Sequence, residues 1–358
     1  MSQPRNPYSG LTDAHFWRRA VSRVERHLVD PVVSTRFRID RKDRVATAGS
    51  CFAQHIARWL RNADFNHFVV EAGEGIAEHE RIERNYGIFS ARFGNIYTTR
   101  QLLQLFRRAE GSFVPADDCW VRADGRYADP FRPNIEPRGF ASPEELRADR
   151  DGHLAAVRGM FADADVFVFT LGLTEGWRSR RDGASFPLAP GVVAGEFDPS
   201  EHAFANAGVA ETIADLREFI AALRGMNPGI RVLLTVSPVP LVATYEDRHV
   251  LAATVYSKSV LRVAAEEIVR SHEGVDYFPA YEIIAGSHAM GSYFEADARE
   301  VTATGVAHAM RCFSAHYLAQ AHAAPATAGG VGYAPFGARD VPAVGAICDE
   351  ESIDQIRV

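Results

Sequence analysis

The chain reads as short apolar runs separated by longer stretches in which apolar residues recur at helical spacing. Val166-Phe167-Val168-Phe169-Thr170-Leu171 and Ile230-Arg231-Val232-Leu233-Leu234-Thr235-Val236 are the clearest runs, apolar enough to be strands buried on both faces of a sheet. Further strands are predicted at 45–49, 66–71 and 275–278. Helical spacing predicts helices over 12–28, 98–109, 142–162, 208–225 and 249–271. It also predicts one immediately after Ser50, carrying Phe52, Ile56, Trp59 and Leu60. Ser142-Pro143-Glu144-Glu145 is a favourable helix start, with a capping hydroxyl, proline in the first turn and acids at the positive end. A last helix buries Val306, Met310, Phe313 and Tyr317, with His308 pointing away from that stripe. Residues 110–141 lack helical periodicity and read as an inserted lid or hairpin. Residues 178–197 read as a two-stranded excursion over the sheet.

Strands that alternate with helices argue a parallel sheet with helices on both faces. The fold expected is α/β, a three-layer α/β/α sandwich with a mainly parallel central sheet of about five strands. Its domain would span 37–322, after an N-terminal helical extension (1–36) and before a C-terminal tail (323–358). In such a sheet, sites form beyond the carboxyl ends of the strands. Ser50, Thr174, Ser237 and the loop after Phe278 all fall at that end.

Composition narrows the functional classes. Of 358 residues 47% are hydrophobic, enough for a sizeable core. Lys and Arg number 39 against 46 Asp and Glu, a net charge of −7, which offers no basic surface to nucleic acid or anionic lipid. The cations are nearly all arginine, with lysine only at Lys42 and Lys258. The cysteines, Cys51, Cys119, Cys312 and Cys348, are scattered, so neither a disulfide framework nor a zinc site is expected. No cofactor is implied: Gly73-Glu74-Gly75 lacks the third glycine of a dinucleotide fingerprint, and no Walker-type Gly-Lys-Ser/Thr occurs. The polar N-terminus starts no signal sequence, and no apolar run approaches the roughly 18 residues of a membrane span. These features are those of a cytoplasmic bacterial protein. They say nothing of its oligomeric state.

The candidate chemistry centres on Gly49-Ser50-Cys51-Phe52-Ala53. Strand, sharp turn, small hydroxyl residue and helix together form the geometry that lifts a nucleophile clear of a parallel sheet. Ser50 could equally serve as an N-cap, satisfying the first free N–H groups of the helix. Cys51 is either a small buried thiol or, activated at the helix start, a nucleophile itself.

These five residues are the signature of the GSCFA family, which this chain resembles from about Phe37 to Tyr317. That family in turn resembles the SGNH (GDSL-like) hydrolases. The resemblance implies Ser50 as an acyl-accepting nucleophile, served by an oxyanion hole and a late Asp-x-x-His. It implies oxyanion donors at the Ser50 N–H, at a glycine N–H (Gly87, or else Gly94) and at Thr174. Thr174 belongs to Gly172-Leu173-Thr174-Glu175, where the wider group has Gly-x-Asn-Asp. Gly172, Glu175 and Asn95 complete the expected binding set. Asp297 matches the late aspartate, but Glu300 stands in the histidine slot, and a carboxylate with reference pKa of about 4.3 is a poor base toward a serine hydroxyl. His288 and His249 are the substitutes by position, His308 a weaker one. Asp297 or Glu300 would orient the histidine. The activity implied is a serine-dependent esterase or O-acyltransferase acting on small-molecule or glycan esters, acetyl groups above all. A binding domain that has lost its base is the alternative, and a Cys51 nucleophile a third reading.

Overall fold

The computed structural model describes residues 6–319 and 348–354. In chain order the strands are β1 (Val45–Gly49), β2 (Trp120–Val121), β3 (Tyr127–Ala128), β4 (Val166–Leu171), β5 (Glu175–Ser179), β6 (Ser185–Phe186), β7 (His202–Asn206), β8 (Arg231–Val236) and β9 (Val275–Tyr277). The helices are α1 (Ala53–Asn62), α2 (Glu78–Glu83), α3 (Thr99–Ala109), α4 (Pro143–Asp163), α5 (Val209–Met226), α6 (Val250–Ser271), α7 (Ala280–Ala285), α8 (Ala303–Tyr317) and α9 (Glu351–Asp354).

The central sheet is parallel, in the order β1-β4-β8-β9, with Gly49 beside Thr170 and Thr170 beside Thr235. Strand alternation sends neighbouring side chains to opposite faces. Phe167, Phe169 and Leu171 of β4, with Val232, Leu234 and Val236 of β8, enter one core with α3, α4, α5 and α6. Val166, Val168 and Leu233 enter the other, with Phe52, Ile56, Leu60, α7 and α8. Each fully buried aromatic or aliphatic side chain here contributes roughly 1.5–3 kcal/mol. The protein is therefore a three-layer α/β/α sandwich.

The sheet holds four strands where about five were expected. The run at 66–71 makes only a parallel bridge from His67 to Val45, on the far side of β1 from β4. The chain thus leaves β1 on one side and returns to it on the other, and β1 borders a topological switch.

Several helices start where expected. At the start of α3, Thr98 and Gln101 form a reciprocal capping box. The Ser142 hydroxyl caps α4, and His249 caps α6. Others fail. Residues 12–28 form three short turns of 3-10 or π type instead of one helix, because their apolar residues have little to pack on: Trp17 and Leu28 are exposed. The excursion near 178–197 is three-stranded, since His202–Asn206 adds β7 to β5. Trp120 from the 110–141 insertion and Phe186 from the second insertion pack in one small core, joining the two. Of the expected tail, residues 323–347 and 355–358 lie outside the described residues. No described helix is long and apolar enough to cross a membrane.

Candidate active site

Ser50 follows β1 directly, and its N–H donates to the Thr170 carbonyl at 3.1 Å. Gly49 makes this close approach possible. Its φ of +133° disfavours a side chain, and a Cβ there would stand 2.3 Å from the Thr170 oxygen. α1 then begins with Phe52 at the cap position and no capping side chain. The Ser50 hydroxyl is therefore not an N-cap. It is buried, with 3% of the residue exposed, and bonds nothing among the described residues. A buried polar atom without a partner costs about 1–3 kcal/mol and calls for a reason.

The loop 94–97 closes over the strand ends. Ile96 N–H donates to the Gly49 carbonyl, and the Tyr97 carbonyl accepts from Gly172 and Leu173 N–H. Gly172 lies against Ser50: a Cβ on it would be 3.1 Å from the Ser50 Cβ. Asn95, in the same loop, turns its N–H (3.2 Å) and Nδ2 (2.9 Å) onto one carboxylate oxygen of Asp349. Asn134 Nδ2 donates to the other oxygen at 3.0 Å. Together these groups bind an anion at the strand ends.

The expected oxyanion donors are otherwise engaged. The Ser50 N–H is held by Thr170. Gly87 donates its N–H to the Glu71 carbonyl and accepts from Arg61, away from Ser50. The Thr174 hydroxyl donates to Asn206 Oδ1 at 2.6 Å, and its N–H goes to Ser257 Oγ. Glu175 is buried, accepting from the Thr244 hydroxyl and Tyr245 N–H. Burial pushes its carboxyl above the usual range. Gly94 and Asn95, in contrast, stand at the site.

The expected bases also lie elsewhere. Asp297 is exposed and caps its own turn, accepting from Arg299 and Glu300 N–H at 3.0 Å each. Glu300 is exposed beside it. His249 is exposed as the α6 cap, its Nδ1 accepting from Leu251 N–H. His288 packs edge-on to His308, under the N-terminal segment, and burial lowers its pKa. No hydrogen bond joins it to Ser50 or Asp297 among the described residues. His308 is buried, not turned from the core. Its Nδ1 meets the Tyr293 hydroxyl and its Nε2 the Val29 carbonyl. A helix packed by both the sheet and the N-terminal segment buries more than one stripe.

The group that reaches Gly172, the neighbour of Ser50, is Lys258 of α6. It is 2% exposed, and its Nζ donates to the Gly172 carbonyl at 2.5 Å. Burial brings its pKa down to about 8, opposed by the field of Glu350 and of Cys51. Arg299, from the loop whose Asp297 and Glu300 face solvent, turns inward to Glu350. Cys51 is buried and lies beside the thiol of Cys348. Lys258 carried a signal in the sequence. It lies three and seven residues before Leu261 and Ala265, on the apolar stripe of its helix, where a lysine needs a reason.

The fold and this site define an α/β sandwich protein with a polar site beyond the strand ends, next to the switch at β1. The GSCFA family model matches residues 44–313, and the chain belongs to the GSCFA family. No curated protein matches it.

Proposed function

We propose that this GSCFA protein is a serine-dependent acyl-transfer enzyme, an esterase or O-acyltransferase acting on acyl esters of carbohydrate or glycoconjugate. Ser50 is the nucleophile and Lys258 its base. One observation carries the reading: a buried, unbonded Ser50 hydroxyl adjoins Gly172, whose carbonyl holds a buried lysine of lowered proton affinity. The carbohydrate part rests on the resemblance to SGNH hydrolases.

In this reading the neutral Lys258 amine swings from Gly172 to Ser50 and takes the hydroxyl proton as Oγ attacks the ester carbonyl. Asn95 N–H and Nδ2 hold the oxyanion, as they now hold a carboxylate oxygen. The tetrahedral species collapses, and the leaving alkoxide takes the proton from Lys258. Water, or an acceptor hydroxyl, then releases the acyl group from Ser50 by the same steps in reverse.

A non-catalytic binding domain is the second reading, favoured by the want of a histidine at Ser50. Fluorophosphonate labelling with peptide mapping separates the two, because the probe needs only an activated serine. Labelling at Ser50 that disappears in Ser50→Ala supports the enzyme. Folded protein that does not label, either as wild type or with Asp349→Asn and Glu350→Gln, leaves the binding domain.

A further inference from the structure

The first three residues of the 348–354 segment lie over the Ser50 turn and the 94–97 loop, with Asp349 and Glu350 buried there. The Cys348 thiol meets Cys51. The Asp349 carboxylate is cradled by Asn95 and Asn134. Glu350 is 9% exposed, receives Arg299 Nη2 at 3.2 Å, and lies in the field of Lys258. Its own N–H donates to the Tyr97 hydroxyl at 3.3 Å.

Two neighbouring carboxylates repel each other, and burying both is unfavourable unless each meets donors or cations. Here each does. The donors come from three distant places in the chain, residues 95, 134 and 299, and converge on two adjacent acids. Among the described residues, the only carboxylates that pair with Arg299 are Glu350 and Glu351, both in this segment. Among the described residues Lys258 forms no ion pair, but it lies in the field of Glu350. Without the segment, the cleft would present an amide cradle and two partly or fully buried cations beside the unbonded hydroxyl of Ser50. Such a lining is built for an anion, and Asp349 and Glu350 of the same chain supply it.

We propose that the cleft over Ser50 is a binding site for a ligand carrying two closely spaced carboxylates, and that Cys348-Asp349-Glu350 is its tethered occupant. An external ligand must displace the segment to reach Ser50. Where the function above is concerned, and resting on it, the substrate is an ester that bears carboxylate groups close to the acyl group, as an acidic glycan does. One carboxylate takes the Asn134 side of the cradle and another takes Arg299. The tether gives the segment an effective concentration on the order of millimolar, so a free acidic ligand competes poorly while the segment is intact.

The test uses the full chain with Asp349→Asn and Glu350→Gln together, which keeps shape and removes charge. The probe is a fluorescein-labelled peptide of residues 346–358, kept reduced and read by anisotropy. The peptide should bind the double variant at least about tenfold more tightly than wild type. Adding Arg299→Gln to the double variant should weaken that binding, and so should neutralising the two acids in the peptide. Fluorophosphonate labelling of Ser50 should be about tenfold faster in the double variant and slowed again by the peptide. Peptide that binds neither protein, binds both equally, or binds irrespective of its acids overturns the proposal. So does a labelling rate unchanged by the double substitution when Ser50 labels. Peptide binding as expected with no labelling of Ser50 in either protein keeps the acidic-ligand site and removes the enzyme reading.

Discussion

Lys258 Nζ donates to the carbonyl oxygen of Gly172 at 2.5 Å, joining the middle of α6 to the turn that faces Ser50. The adjacent Ser257 holds Thr174 N–H at 3.0 Å, so two consecutive residues of one helix clamp both ends of that turn. Most surface lysines gain little from a hydrogen bond. This one gives up its hydration for it, and its lowered proton affinity is the consequence.

Lys258→Met should slow fluorophosphonate labelling of Ser50 by about two to four orders of magnitude while leaving the protein folded. A methionine of similar length fills the volume without a buried charge. Circular dichroism and labelling rate read the two effects separately. Labelling at the wild-type rate in Lys258→Met removes Lys258 from the mechanism.

The same residue sets a pH profile. With the amine as base, labelling rises about tenfold per pH unit below about pH 8 and levels off above it. The charged groups facing Lys258 are Glu350 of the 348–354 segment and Arg299 from the loop before α8, and the titratable thiol of Cys51 lies beside it. Glu350 favours the ammonium form, so Glu350→Gln should move the midpoint to lower pH. A profile flat from about pH 6 to 9 would contradict this assignment.

Neither His288→Ala nor His249→Ala should slow labelling by more than about threefold, because neither ring is hydrogen-bonded to the Ser50 turn. His249→Ala should lower stability by about 0.5–2 kcal/mol through loss of the α6 cap. Urea denaturation measures it. A hundredfold loss of labelling in either variant would return the base to histidine.

Gly49→Ala should destabilise the protein by at least about 1–3 kcal/mol and abolish labelling. The new Cβ would meet the Thr170 oxygen at 2.3 Å and force β1 from β4, displacing Ser50. An alanine variant as stable as wild type would show that the turn can relax.

Asp129 is fully buried between Arg132 and Arg150, which tie the 110–141 insertion to α4. These arginines hold its carboxyl well below the usual range. The folded pKa lies under the unfolded value of 3.8, so the stabilisation is present above about pH 4 and lost as pH falls further. Asp129→Asn should therefore cost about 3–5 kcal/mol near neutral pH, and the two proteins should converge on acidification. Urea midpoints at two pH values decide it.

Much of this protein was legible in its sequence. Apolar runs of the right length specified β4 and β8 most clearly, because a strand covered on both faces must be largely apolar. Thr98, Ser142 and His249 marked helix starts, because a cap is a local hydrogen bond between near neighbours. The Gly49-Ser50 turn was legible for the same reason: strand, turn and helix lie within a few residues.

What the tertiary structure decided depends on residues far apart in the chain. Ser50 reads as a cap until the turn is built, when its hydroxyl proves to face no backbone donor. The sequence favoured Gly87 over Gly94, and the path of the loop over β1 brings Gly94 to the site instead. Position in the chain favoured His288, yet α8 and the N-terminal segment close over it on the other core. Lys258, Arg299, Asn134 and Asp349-Glu350 meet only because the sheet order and the returning C-terminal segment bring their ends together. Electrostatic pairing acts through space, and spacing along a sequence does not record it.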